Sequence, residues 1–354
     1  MYIITLEINQ ICNFCCKYCY LGTLSKKEMS FEIAKNALEI AFLNAKRHSD
    51  HRVWVDFVGG ETLLSFKFIE RLCQWIENEI EVNHLEVSYS ITTNGSIMNQ
   101  EILNWLIRRK VQVKISIDGW KDIHDQNRKD SAGMGTFDLV YENLPLFYEY
   151  QNRTGIRMQA THVVTKNNYD KLFTVVQYLV EKLRMEIIDS ALDLSADWDK
   201  KALDFIANEW KKIIKYIKYR ESIGRPFIWG PLIDMYNYEA ACKSCGVGLI
   251  RIYVRADGSI YGCSANLNES ECLGNVKYGL VRKKIQECKK SLLLNDMCAN
   301  CSLNEYCLTK TCVMNFEKNT EGEKVPNAVM CYLEEKKQKL WREHYLKWNT
   351  CIIC

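Results

Sequence analysis

The sequence predicts an α/β protein built on a parallel sheet, and three observations carry that prediction. Short apolar runs alternate with helix-patterned stretches through residues 2–220, as in chains whose parallel strands are joined by outer helices. The Gly-rich and polar motifs fall at the C-terminal ends of the apolar runs, where chemistry collects in α/β folds. Past Arg220 the alternation stops and cysteines dominate, which marks a second structural region.

The expected strands are Tyr2–Ile8, Arg52–Val58, Leu85–Thr92, Gln112–Ile117, Ile156–Val164 and Met185–Asp189. Each is followed by a stretch with helical spacing: Phe31–Lys46, Phe66–Ile80, Gln100–Arg109, Phe137–Tyr150, Tyr169–Leu183 and Lys200–Arg220. Gly224-Arg225-Pro226 and Gly230-Pro231 then bracket an aromatic patch, Phe227 and Trp229, and read as a linker. Asp257-Gly258 between Arg251–Arg255 and Ser259–Tyr261 reads as the turn of a hairpin. A charged helix over Tyr332–Trp348 leads to a terminal Cys351-Ile-Ile-Cys354.

The chain has 354 residues, a hydrophobic fraction of 47% and a formal charge of +3. That length suits about two domains. A nearly neutral chain without a basic block is a poor binder of nucleic acid, so no nucleic-acid partner is expected. No run of about 18 apolar residues is present, so no membrane span is expected. The chain opens on a strand without a signal-peptide pattern, so the expected location is cytoplasmic. Seventeen cysteines in such a chain point to metal binding rather than to disulfides.

Cys12, Cys16 and Cys19 follow the first strand with the spacing C-x3-C-x2-C. Three soft thiolates on one loop can hold three irons of a [4Fe–4S] cube and leave the fourth open. Structural zinc wants four closed ligands, usually from paired C-x2-C knuckles. Cys15 lies off the spacing and reads as a bystander, and Cys73, among Leu72, Trp75 and Ile76, reads as a buried hydrophobe.

The cysteine motif, with an aromatic residue, Tyr18, before the last cysteine, resembles the signature of the radical S-adenosylmethionine (SAM) enzymes. The resemblance implies a partial (β/α)6 TIM-like barrel. It also implies an open iron that binds the amino and carboxylate groups of SAM, and a 5′-deoxyadenosyl radical that takes hydrogen from the substrate. The cofactor carries the hard chemistry and the protein supplies position and exclusion of water. Gly59-Gly60-Glu61 after the second strand resembles the motif that holds the amino group of SAM, and two glycines allow close backbone approach. Thr92-Thr93-Asn94-Gly95, Ser116-Ile117-Asp118-Gly119 and His124-Asp125-Gln126-Asn127-Arg128 resemble further elements of the branch that modifies peptides and proteins. That puts Asn94, Ser116, Asp118 and Arg128 at the cofactor. The alternative for Arg128 is a local ion pair with Asp125, and His124 reads as a structural histidine.

The later cysteines run Cys245-x12-Gly258-x4-Cys263, then Cys298-x2-Cys301-x5-Cys307-x4-Cys312, then Cys331. This resembles the SPASM domain, although the gap before Cys312 is one residue longer than the family's. The resemblance implies two auxiliary [4Fe–4S] clusters, one on Cys242, Cys245, Cys263 and Cys312 and one on Cys298, Cys301, Cys307 and Cys331. If Cys242 does not reach, the first of these has an open iron. A zinc ribbon on Cys298, Cys301, Cys307 and Cys312 is the rival arrangement. The implied domains are a barrel over 1–195, a bridging helix and linker over 196–239, the SPASM domain over 240–335, and a C-terminal helix and tail over 336–354.

The same resemblance implies a maturase acting on a ribosomally synthesised precursor peptide, forming a thioether or other cross-link or an epimerised residue. Its partners would be that peptide, a separate leader-binding protein, since no leader-binding domain precedes the first strand, and an electron donor such as flavodoxin or ferredoxin. In sulfatase-maturating relatives an Asp follows the cysteine that closes G-x4-C, and here Ser264 follows Cys263. Cys272, as a hydrogen-atom donor, and Asp193, as a base, are the catalytic candidates, although Asp193, Asp197 and Asp199 also read as a helix-start cluster. Three other readings remain: a sulfatase-maturase-like side-chain oxidase, a SPASM dehydrogenase or epimerase of a small molecule, and a non-catalytic zinc scaffold.

Overall fold

The computed structural model describes residues 1–22, 25–236, 246, 248–265, 267–293, 296–312, 316–318, 320 and 324–344. The strands are β1 (Tyr2–Asn9), β2 (Arg52–Gly59), β3 (Glu86–Thr93), β4 (Gln112–Ser116), β5 (Gln159–Val164), β6 (Ile187–Leu192), β7 (Ile228–Trp229), β8 (Arg251–Val254), β9 (Ser259–Tyr261), β10 (Gly274–Asn275), β11 (Gly279–Leu280), β12 (Phe316–Lys318) and β13 (Lys324–Pro326). The helices are α1 (Phe31–Ala45), α2 (Phe66–Asn83), α3 (Gln100–Arg109), α4 (Lys121–Asn127), α5 (Phe137–Thr154), α6 (Leu172–Glu181), α7 (Lys200–Ser222), α8 (Gly230–Tyr236), α9 (Arg282–Leu293), α10 (Asp296–Ala299) and α11 (Ala328–His344). Among the described residues no strand pairing closes a sheet into a ring, so the parallel sheet is open.

The chain divides into two compact units, Met1–Thr161 with Gly246–Gln286, and His162–Cys245 with Glu287–Cys354. In the first unit the strand order is β11-β10-β9-β8-β1-β2-β3-β4-β5, and β1 through β5 run parallel. Alternation along β1 buries Tyr2, Ile4, Leu6 and Ile8, each at most 1% exposed. Full burial of such side chains contributes about 1.5–3 kcal/mol each. The same face of β2 buries Val53, Val55 and Phe57. Side-chain caps start the covering helices: Ser30 accepts from Ile33 N at α1, and Asn99 accepts from Ile102 N at α3. Lys110 and Gly155, in left-handed conformation, end α3 and α5.

The expected hairpin is present as antiparallel β8 and β9, with Gly258 at φ +85° in its turn. The sequence offered no sign of where it docks. β8 pairs in parallel with β1, from Ile3↔Arg251 to Leu6↔Val254. Glu7, fully buried in β1, fastens the joint: it accepts from Tyr253 Oη at 2.8 Å and from Ala256 N at 3.2 Å.

In the second unit β6 pairs in parallel with β7. The stretch read as a linker is therefore partly regular: Ile228–Trp229 is a strand and Gly230–Tyr236 is a helix. Phe227 and Trp229 are buried, and their apolar surface outweighs the Gly and Pro signals on either side. Asp199 accepts from Ala202 N and caps α7, as the helix-start reading expected. The C-terminal helix begins earlier than the pattern suggested, at Ala328, and packs on α7 with Tyr332 Oη donating to Asp204 at 2.7 Å. Among the described residues no helix is long and apolar enough to cross a membrane.

Candidate active site

The loop after β1 carries Cys12, Cys16 and Cys19, all half-buried, with Cys15 exposed beside them. Backbone hydrogen bonds fix this loop on two sides. Toward β2, Gly60 N donates to Asn9 O at 3.0 Å and Glu61 N donates to Ile11 O at 2.7 Å. A Cβ on Gly59 would lie 2.6 Å from Asn9 O, and one on Gly60 only 2.3 Å from Ile11 O. The two glycines are needed because backbone meets backbone here. Toward α4, Cys15 N donates to Lys129 O at 2.6 Å and Lys17 N donates to Asn127 O at 3.0 Å.

Glu61 is fully buried. Its carboxylate accepts from Leu63 N at 2.9 Å, Thr93 Oγ1 at 2.8 Å and Asn94 N at 2.6 Å. Burial raises its pKa, and those three donors oppose the rise. The Asn94 side chain donates to Asn13 Oδ1 at 2.9 Å and approaches Cys12 Sγ at 3.9 Å. Ser116 is the last residue of β4.

Asp118, also fully buried, takes the Tyr18 hydroxyl on one oxygen and the Arg128 guanidinium on the other, with Arg128 Nε at 3.2 Å. Arg128 lies over the Tyr18 ring, 5.3 Å from its centroid, and Nη1 reaches Cys16 Sγ at 3.9 Å. The local ion pair between Arg128 and Asp125 is not what forms. Asp125 instead accepts from Thr136 N and Phe137 N and caps α5. His124 is structural, as expected, but sits on the short helix α4 rather than a loop. Its Nδ1 faces Asp118 N at 3.4 Å and its Nε2 faces Thr136 Oγ1 at 3.1 Å. Since Thr136 Oγ1 donates to Arg128 O, the network assigns the proton to Nε2.

The three thiols suit an iron–sulfur group. Cys12 is pushed up to about 11, chiefly by burial and then by the charges of Glu61, Cys16 and Cys19, against the Phe14 amide. Cys16 is raised by burial, with Arg128 opposing. The Cys12 and Cys16 thiols therefore keep their protons at neutral pH unless a metal displaces them, and a coordinating metal does so outright.

Sequence reasoning missed Asn9, which donates to Glu61 O at 3.0 Å and to Ser65 Oγ at 2.8 Å. Its signal was a polar residue closing an otherwise apolar strand. Thr93, lying inside the noted turn, was missed as a ligand of Glu61.

In the second unit Cys298, Cys301, Cys307 and Cys331 line one cavity of about 280 Å³, together with Lys310 and Glu334. Cys312 is not part of that lining. Among the described residues no three His, Cys, Asp or Glu side chains stand close enough to hold a single metal ion. Cys242, Cys245, Cys351 and Cys354 lie outside the described residues. Cys263 follows β9 in the first unit. Cys272, in the same unit, packs against Val58, Tyr253 and Tyr261, and its thiol donates to Gly274 O at 3.2 Å. Asp193 accepts from Ser195 N and Oγ in the turn after β6.

Residues 6–178 match the Radical SAM superfamily model. The chain is 25% identical over 320 residues to a cysteine-type anaerobic sulfatase-maturating enzyme of Clostridium perfringens, covering 84% of each. It is 23% identical over 334 residues to the radical SAM cyclopropyl synthase TigE of Paramaledivibacter caminithermalis, covering 86% of this chain and 66% of that one. Its fold superposes on native anSMEcpe with bound AdoMet and Cp18Cys peptide at a TM-score of 0.81, with 20% identity and 98% of each chain covered. The cysteine loop seated on Gly59-Gly60-Glu61 thus lies within the matched segment, and the chain is an enzyme that carries a radical SAM domain.

Proposed function

We propose that the chain is a radical SAM peptide maturase with two auxiliary clusters, acting on a residue of a ribosomally made precursor peptide. The family implies a [4Fe–4S] cluster and SAM. When bound, they supply a 5′-deoxyadenosyl radical that abstracts hydrogen from the substrate. Cys12, Cys16 and Cys19 would hold the cube, and the backbone of Gly59 and Gly60 would border SAM. Glu61 has three donors and retains acceptor capacity for the cofactor's amino group. Asn94 and Ser116 would meet the cofactor from the ends of β3 and β4, and Asp118, Arg128 and Tyr18 from beside Cys16.

The observation that carries the peptide reading is the match to a sulfatase-maturating enzyme over 84% of both chains. By its name that relative matures a sulfatase, and a structure of the same fold holds the Cp18Cys peptide. Ser264 after Cys263 favours a peptide maturase over a sulfatase maturase, because the sequence pattern of those relatives places an Asp there. The cavity supports an auxiliary cluster on Cys298, Cys301, Cys307 and Cys331. Cys242, Cys245, Cys263 and Cys312 would hold the other, for about 12 irons per chain. The domain limits at 195, 239 and 335 belong to this reading, as do the leader-binding partner and the flavodoxin or ferredoxin donor.

The test is anaerobic co-expression with short open reading frames encoded beside the gene. A modified peptide with a mass change, lost in a Cys12→Ala, Cys16→Ala, Cys19→Ala variant, is the expected result. Turnover of a sugar or alcohol with no peptide modified would replace this reading with a small-molecule dehydrogenase.

A further inference from the structure

The backbone register around Cys16 places one charged side chain against it. Cys15 N and Lys17 N, on either side of Cys16, donate to Lys129 O and Asn127 O, on either side of Arg128. Arg128 is thereby set opposite Cys16 by main-chain bonds, whatever its side chain does. The segment is held from behind as well, with Arg128 N donating to His124 O at 2.9 Å and Thr136 Oγ1 donating to Arg128 O at 2.9 Å.

The side chain is only 7% exposed, and a guanidinium does not lose its proton in a protein. A permanent charge is buried here beside the Tyr18 ring, with Asp118 at 3.2 Å and the Cys16 sulfur at 3.9 Å among its neighbours. Cluster potentials follow net charge, hydrogen bonds to sulfur and exposure. A donor to a thiolate stabilises the reduced, more negative cluster, and so does a nearby positive charge, while an uncompensated carboxylate opposes it.

We propose that Arg128 and Asp118 are positioning residues that act through Cys16: Arg128 donates to its thiolate, Asp118 is the counter-ion, and the pair sets the reduction potential of the cube. This rests on the reading of Cys12, Cys16 and Cys19 as cluster ligands. It goes beyond that reading by giving Arg128 and Asp118 an effect that exists before SAM arrives. The two residues act with opposite sign.

The experiment is a redox titration of the anaerobically loaded full chain without SAM, followed by electron paramagnetic resonance. The cube of interest is identified as the signal that changes shape when SAM is added. Arg128→Gln should move its midpoint to lower potential and Asp118→Asn to higher potential. Where a single variant proves unstable, the double variant removes both charges and should fall between wild type and Arg128→Gln, having lost only the donor. A purely structural role would lower cluster content in both variants without opposite shifts. Unchanged midpoints, or shifts of the same sign, overturn the proposal. Absence of any SAM-responsive signal in the wild type would instead overturn the underlying assignment of the three cysteines.

Discussion

The Tyr18 hydroxyl donates to the carboxylate of Asp118, a residue 100 positions further along the chain. This contact ties the cysteine loop after β1 to the end of β4. Tyr18→Phe keeps the ring under Arg128 but leaves a buried carboxylate oxygen without that donor. The expected cost is about 1–3 kcal/mol, read as a lower thermal midpoint and faster iron loss to a chelator under anaerobic conditions. An unchanged midpoint and an unchanged rate of iron loss would show that the contact does not hold the loop.

Gly60 faces Ile11 O with no room for a methyl group. The obstacle is backbone rather than a flexible side-chain end, so Gly60→Ala has to move the cysteine loop or the β2 turn. The expected outcome is loss of the SAM-responsive cluster, with iron falling from about 12 to about 8 per chain. Full iron content with normal SAM binding would contradict the close packing described here.

Cys331, rather than Cys312, shares a cavity with Cys298, Cys301 and Cys307. Cys331→Ser should strip about four irons and leave the SAM-responsive signal intact. A Cys331→Ser protein with undiminished iron would favour the rival ligand set that uses Cys312.

His124 is pushed down to about 4, chiefly by burial and secondarily by Arg128 and Lys121, with Asp118 and Asp125 opposing. Between that value and the ordinary 6.5 the unfolded chain binds a proton that the folded chain refuses. Stability therefore falls as the pH drops through this window, by about 1 kcal/mol between pH 7.5 and 5.5. Anaerobic urea unfolding at those two pH values checks this. His124→Asn should lose that share of the pH dependence, and an equal slope in the variant would assign the effect to other groups.

Much of this architecture is written locally. β1, the cysteine spacing and the Gly59-Gly60-Glu61 turn are short-range patterns, and a strand period or a ligand spacing is visible within a dozen residues. What the sequence hides is pairing at long range. Nothing around Tyr18 points to Asp118, and nothing in β8 announces its place beside β1, because main-chain pairing leaves little trace in side-chain identity. Glu7 was a readable clue, as a single carboxylate within an apolar strand needs buried donors, and Tyr253 and Ala256 provide them. The stretch around Phe227 and Trp229 shows the opposite case. Strong local turn signals were overridden by burial of two aromatic rings.

Radical chemistry in this chain requires Cys12, Cys16 and Cys19 to hold a cluster with one open iron. The direct measurement is 5′-deoxyadenosine release from SAM by the anaerobically reconstituted protein under a strong one-electron reductant, compared with the variant in which all three cysteines are alanine. Release by the wild type and none by the variant, with about 8 irons still bound, is the predicted result. SAM left intact by the wild type, or cleaved as fast by the triple variant, would contradict it.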